Sequence, residues 1–372
     1  LADLRERVAR TRWPNTHGAA PWEDGTDQGY LRELCAYWTD GFDWRAIEER
    51  LNTLPQFRTT IDGVDVHYVY RRGVGPRPLP IVITHGWPST FVEMERLGAL
   101  LADPAAHGGD PRDAFDVVVP SVPGFGFSSP LRGRSITNDD VVRLWSQLMT
   151  RVLGYERFVA HGGDLGASIT ARLGALEAAR VPAIHVTSVT GSSLVRYLGP
   201  DAPALTDAER RFVQESDAWW EAEGGYAHVH RTKPQTLAHA LSDSPVGLAA
   251  WLVEKFRTWS DCDGDVERRF SKDDLLTTIT IYWATETISS SFRLYTETRR
   301  APWRFARGER IAAPAGVAIF PRDIARPPRE WGARIFDVRR WTEMPRGGHF
   351  AAHEEPELLA AELREFFRPF RA

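Results

Sequence analysis

Arg157-Phe158-Val159-Ala160-His161-Gly162-Gly163-Asp164-Leu165-Gly166-Ala167 is the stretch whose reading decides the fold. It starts as a short apolar strand, passes through a tight turn flanked by glycines and runs on as a helix. The pattern G-x-Nu-x-G describes a nucleophile elbow, a sharp strand-to-helix corner that exposes one side chain at the top of a sheet. Here Nu is Asp164, where a serine is the commoner residue. The two nucleophiles suit different substrates. Serine attacking an acyl carbon leaves an ester that water can cleave, but serine attacking a saturated carbon leaves an inert ether. A carboxylate attacking a saturated carbon leaves an alkyl ester whose carbonyl belongs to the protein, and water regenerates the carboxylate. Asp at the elbow therefore points to displacement at sp³ carbon, on an epoxide or an alkyl halide.

Outward from the elbow, short apolar runs recur at 80–84, 115–119, 184–189, 316–320 and 334–338. Continuous β-branched runs separated by helical segments predict buried parallel strands. The alternating stretch 59–70 predicts a β-hairpin turning at Asp62-Gly63. A hairpin followed by alternating strand and helix predicts an α/β fold with a mostly parallel sheet. Between 192 and 304 the alternation stops. Helix formers and aromatics dominate, with helical stretches at 215–222, 247–259 and 273–298. This reads as a helical cap inserted between two halves of the core. The chain divides into an N-terminal segment at 1–56, core at 57–191, cap at 192–304 and core at 305–372. The N-terminal segment is helical and irregular, anchored by Trp13, Tyr37, Trp38, Phe42 and Trp44.

With 372 residues the chain can bury a sizeable core. A net charge of −4 without a long basic run argues against a nucleic-acid partner. Only two cysteines occur, Cys35 and Cys262, without metal or redox spacing. No apolar run reaches the ~18 residues of a membrane span. The expectation is a soluble, cytoplasmic protein without a membrane partner, although a start at Leu1 leaves room for a preceding leader or anchor. Fourteen Trp and eighteen Phe suit an aromatic pocket, though core packing explains most of them.

Asp164 alone carries little, because Asp is common in turns. Other positions strengthen it. His85-Gly86-Trp87-Pro88 follows the strand at 80–84, and the Trp87 N–H can join that of Leu165 in an oxyanion hole. His85 itself reads as a local hydrogen-bonding group. Arg346-Gly347-Gly348-His349-Phe350 follows the last predicted strand, where its glycines allow a tight loop. The chain order nucleophile, acid, histidine makes His349 the base. Asp323, just past the strand at 316–320, is the acid; the stretch Thr190-Gly191-Ser192-Ser193 after 184–189 offers no carboxylate. An opening epoxide leaves an alkoxide that needs strong hydrogen-bond donors, and neutral tyrosines supply them. The candidates are Tyr197, Tyr226, Tyr282 and Tyr295. On one continuous helix Tyr282 and Tyr295 would face different sides, so the residues alone do not select a pair.

Taken together these motifs resemble the microsomal-type epoxide hydrolases of the α/β-hydrolase family. The resemblance runs over nearly the whole chain. It includes Arg10 to Pro14, His85 to Pro88, Val122 to Ser128, His161 to Asp164, Lys233 to Thr236, Asp243 to Ala250, Glu254 to Phe256 and Gly347 to Ala352. It implies Asp164 as nucleophile, His349 as base and Asp323 as acid. It also selects Tyr226, in a Gly-Tyr pattern, and Tyr295, in Phe-x-x-Tyr, as the epoxide-oxygen donors. The N-terminal segment is implied to wrap the core and brace the cap. Leu165 departs from the Trp that often follows the nucleophile, so pocket shape should differ. The membrane anchor of the animal enzymes is absent from this stretch, as in bacterial members, some of which act in secondary-metabolite pathways such as enediyne assembly. The implied reaction converts an epoxide and water to a vicinal diol with no metal or organic cofactor. The aromatic-rich cap favours an aryl or bulky substrate, and a homodimer is the expected assembly. A haloalkane or haloacid dehalogenase is the alternative that shares the Asp elbow. A non-catalytic binding protein is the alternative from another class.

Overall fold

A computed structural model describes residues 1–18, 20–128, 133, 135–189 and 194–371. Ten strands are described. They are β1 (Gln56–Ile61), β2 (Val64–Arg71), β3 (Leu79–Thr84), β4 (Phe115–Pro120), β5 (Val159–Gly162), β6 (Ile184–Val186), β7 (Leu194–Val195), β8 (Trp303–Arg304), β9 (Ile311–Ile319) and β10 (Phe336–Glu343). Eight of them form one sheet in the order β1-β2-β4-β3-β5-β6-β9-β10. The pairs β1/β2 and β2/β4 are antiparallel and all later pairs are parallel. The expected mixed, mostly parallel α/β sheet is therefore present. Asp62 and Gly63 both take positive φ, 50° and 73°, as a two-residue hairpin turn requires.

The central strands are apolar because helices cover both faces. Ile81, Val82 and Ile83 of β3 and Val117 and Val118 of β4 are fully buried, as expected for parallel strands. The longer helices packed in the core half are α4 (Glu95–Ala102), α5 (Asn138–Gln147), α6 (Asp164–Leu176) and, at the C-terminus, one covering Pro356–Phe367. Three helices precede β1: α1 (Ala2–Ala9), α2 (Gln28–Asp40) and α3 (Trp44–Asn52). Asp27 and Asp43 cap α2 and α3 by accepting backbone N–H bonds.

Between β7 and β8 lie α7 (Asp207–Glu223), α8 (Gly225–Thr232), α9 (Pro234–Asp243), α10 (Pro245–Trp259), α11 (Lys272–Thr285), α12 (Ile288–Ser291) and α13 (Arg293–Arg300). The stretch 273–298 is thus not one helix. Glu286 adopts a left-handed φ of 55° and ends α11, so Tyr282 and Tyr295 sit on separate helices and the single-helix angle between them does not apply. The N-terminal helices are tied to this helical insertion. Trp38 Nε1 donates to Thr280 Oγ1 at 2.9 Å, Tyr37 donates to Asp273 at 2.9 Å and Arg7 pairs with Asp243 at 2.7 Å. The expected boundary at 191/192 lies outside the described residues.

Several strand limits differ from the expected ones, most of all in β6, β9 and β10. β6 stops at Val186. β9 starts earlier, because Pro314 falls where the β9/β10 register shifts, a place where a strand tolerates proline. β10 runs on to Glu343 as an edge strand, where Arg339, Arg340 and Glu343 are at home. Among the described residues, no helix is long and apolar enough to cross a membrane.

Candidate active site

The elbow is built as its glycines dictate. Asp164 has a φ of 49°, a left-handed conformation costly for a residue with a side chain. A Cβ on Gly166 would run into the Thr84 carbonyl, and one on Gly162 would meet the Gly166 backbone. Only glycine lets β5, the turn and α6 approach so closely. A Cβ on Gly86 would strike the Asp164 side chain, so the loop after β3 also needs glycine to come alongside.

That approach delivers a donor. The Trp87 N–H donates to Asp164 Oδ1 at 2.8 Å. Leu165 lies in the first turn of α6, where backbone N–H groups lack helical acceptors. His85 is fully buried; its Nε2 accepts from the Val122 N–H at 3.1 Å. It is a local hydrogen-bonding group, as the sequence indicated.

His349 lies in the loop between β10 and a short helix, α15 (Ala351–Glu354) in a count that includes α14 (Arg329–Ala333). Its Nδ1 is 2.6 Å from Asp323 Oδ1 and its Nε2 is 3.4 Å from Asp164 Oδ2. Asp323 Oδ1 also accepts the Ile324 N–H at 2.7 Å, which fixes that carboxylate. Burial opposes charge on His349, yet Asp323 and Asp164 outweigh it and hold the imidazole pKa well above its usual value. The His349 loop is anchored through Glu354. Its carboxylate accepts N–H bonds from Gly348, Phe350 and Asp261 at 3.1, 3.0 and 2.7 Å. Burial raises Glu354 to about 7 despite these donors.

Across the site stand Tyr226 on α8 and Tyr295 on α13, with ring centroids 6.2 Å apart at 80°. Tyr226 stacks on the Trp87 indole at 5.4 Å, and the Lys255 ammonium lies 5.2 Å from its ring centre. Burial pushes both phenol pKa values up, and the Asp164 charge adds to the rise. Both hydroxyls therefore keep their protons at neutral pH. Asp164, Leu165, Tyr226 and Tyr295 all line one cavity of about 740 Å³. Its walls include Phe212, Trp219, Trp220 and Trp331. The structure thus brings together Asp164, His349, Asp323, Trp87, Leu165, Tyr226 and Tyr295. Tyr282 instead donates to the Ser89 carbonyl at 3.1 Å, and Tyr197 to Asp201 at 2.5 Å.

Two acidic residues near the site escaped the sequence reading. Glu354 lies two residues past the C-terminal motif and reads as an ordinary helix residue. Glu93 sits in the apolar run Phe91-Val92-Glu93-Met94, and a lone carboxylate in such a run is the only signal it gives. Among the described residues no cluster of His, Cys, Asp and Glu suits a metal ion.

Residues 1–94 match the family described as "Epoxide hydrolase N terminus", and residues 80–280 match "alpha/beta hydrolase fold". A "Putative epoxide hydrolase" of Stigmatella aurantiaca is 40% identical, covering 100% of this chain and 83% of its own. "Epoxide hydrolase 1" of Oryctolagus cuniculus is 36% identical over 98% of this chain and 86% of its own. The epoxide hydrolase structure from Aspergillus niger superposes with a TM-score of 0.85 at 28% identity, covering 99% of this chain and 93% of that one.

Proposed function

The chain belongs to the epoxide hydrolases of the α/β-hydrolase fold, and from that premise we propose that it opens its epoxide through a covalent ester on Asp164. Tyr226 and Tyr295 hold the epoxide oxygen by donating hydrogen bonds. Asp164 attacks a ring carbon, the C–O bond breaks and the oxygen takes a tyrosine proton; the tyrosinate is then reprotonated, through solvent, at the expense of the His349 imidazolium, which leaves His349 neutral. His349, oriented by Asp323, then removes a proton from water, and that water attacks Asp164 Cγ. The Trp87 and Leu165 N–H groups stabilise the oxyanion, each such donor being worth ~3 kcal/mol. Collapse releases a vicinal diol.

The observation that carries this reading is the pair of protonated phenols sharing one cavity with the elbow carboxylate. It also disfavours a dehalogenase, since a leaving halide needs no such acids. The aromatic walls support an aryl or bulky apolar epoxide, including one made in secondary metabolism. Cys35 and Cys262 are both free and buried; unpaired thiols suit a reducing compartment, and the proposal includes a cytoplasmic setting.

The test is His349→Gln. With styrene oxide, intact-mass measurement should show the variant carrying one substrate adduct that persists for many wild-type turnovers. A folded variant that consumes no epoxide and carries no adduct would sink the ester pathway.

A further inference from the structure

A second, smaller cavity also reaches the nucleophile but is lined by neither tyrosine. Asp164 lines both cavities, but His349 lines only the small one, together with Gly86, Trp87, Ser89, Glu93, His161 and Thr187. Its volume of about 20 Å³ gives room for a water molecule, which needs roughly 10–15 Å³ by the same measure. His349 Nε2 is buried and, apart from its 3.4 Å approach to Asp164 Oδ2, has no partner. In the ester intermediate the alkyl group occupies the tyrosine side. Water that attacks Asp164 Cγ while touching His349 Nε2 must come from the cavity that His349 lines.

We propose that Glu93 is the positioning residue for the hydrolytic water. Its carboxylate accepts one hydrogen of a water in the small cavity while His349 Nε2 accepts the other, which turns the oxygen toward Asp164 Cγ. The inference rests on the ester pathway above. A water bound by one acceptor can rotate about that bond; a second acceptor fixes it, and fixed geometry is worth orders of magnitude in rate.

The titratable groups around the cavity suit this role. They are Glu93, Asp164, His349 and His161, with Glu354 beyond them. Burial raises Glu93 to about 7, and the Asp164 charge contributes to the rise. His161 is fully buried and held neutral. The step balances. Water gives one proton to His349 and its oxygen bonds to Cγ, with the carbonyl electrons moving onto the Asp164 oxygen. Collapse breaks the bond from Cγ to the alkyl oxygen, which leaves with the His349 proton. The remaining acid proton on Asp164 returns to His349 and restores the ion pair.

The experiment is single-turnover stopped-flow fluorescence of the whole protein with styrene oxide, which separates ester formation from ester hydrolysis. In Glu93→Gln, hydrolysis should slow by at least about tenfold, with ester formation within twofold of wild type. In the steady state kcat and KM should fall together, leaving kcat/KM unchanged. Glu93→Asp keeps the carboxylate and should show the same split with a smaller loss; it carries the test if Glu93→Gln does not fold. Unchanged hydrolysis in a folded variant, or equal loss in both half-reactions, overturns the role of Glu93 and leaves the ester pathway standing. Diol formation by wild type with no ester phase overturns both.

Discussion

His349 sits between two carboxylates, 2.6 Å from Asp323 and 3.4 Å from Asp164. That placement makes its charge respond to the state of the nucleophile. In the resting protein both carboxylates favour imidazolium against the cost of burial. In the proposed ester pathway, alkylation would neutralise Asp164 and remove one of the two supports, so the imidazole would become a neutral base once the ester forms. The prediction is that NMR titration finds His349 still protonated well above pH 6.5, and that Asp164→Ala lowers its pKa. An unshifted pKa in the variant would contradict the coupling. The sign for stability follows: a raised pKa makes this group stabilising below the unfolded value of 6.5, and the contribution is lost as pH rises through the folded pKa.

At the scale of elements, the elbow depends on close backbone approach between the β5–α6 corner and the loop after β3. Gly166→Ala puts a methyl group into the Thr84 carbonyl. Overpacking of this kind costs about 1–3 kcal/mol, so thermal melting should fall and hydrolysis with it; a variant with wild-type melting and activity would show that the corner can relax. Much of this architecture is legible in the sequence, for identifiable reasons. β3 and β4 are buried on both faces, so their β-branched runs stand out. β10 is an edge strand and carries Arg339 and Arg340, so its apolar run is too short to mark its extent. The break at Glu286 has no Gly or Pro to announce it. Asp164, Asp323 and His349 could be read from chain order. Tyr226 and Tyr295 could not, since any buried tyrosine looks alike in sequence, and only the resemblance selected them. Glu93 could not either, because its meaning comes from a cavity that also needs the sequence-distant His161, Asp164, Thr187 and His349.

For the molecule as a whole, two cavities meet at Asp164. The larger is lined also by Tyr226, Tyr295 and three tryptophans; the smaller is lined also by His349 and Glu93, and in the proposed mechanism the two would divide the work. Helices α1 and α2 and the segment between them hold α9, α10 and α11 through Arg7, Trp38 and Thr26, whose hydroxyl donates to the Ala250 carbonyl at 2.6 Å. The same N-terminal segment buries Leu31, Leu34 and Trp38. The tyrosines are thereby supported from outside the sheet that carries the nucleophile. The central claim, that oxygen from water reaches the diol only by way of Asp164, is open to one direct measurement. Excess protein is given a single turnover of styrene oxide in ¹⁸O-water, and both the diol and the peptide containing Asp164 are examined by mass spectrometry. The account predicts label in the Asp164 carboxylate and an unlabelled first-turnover diol. Label in that first diol, with none in Asp164, would mean direct attack by water and would contradict it.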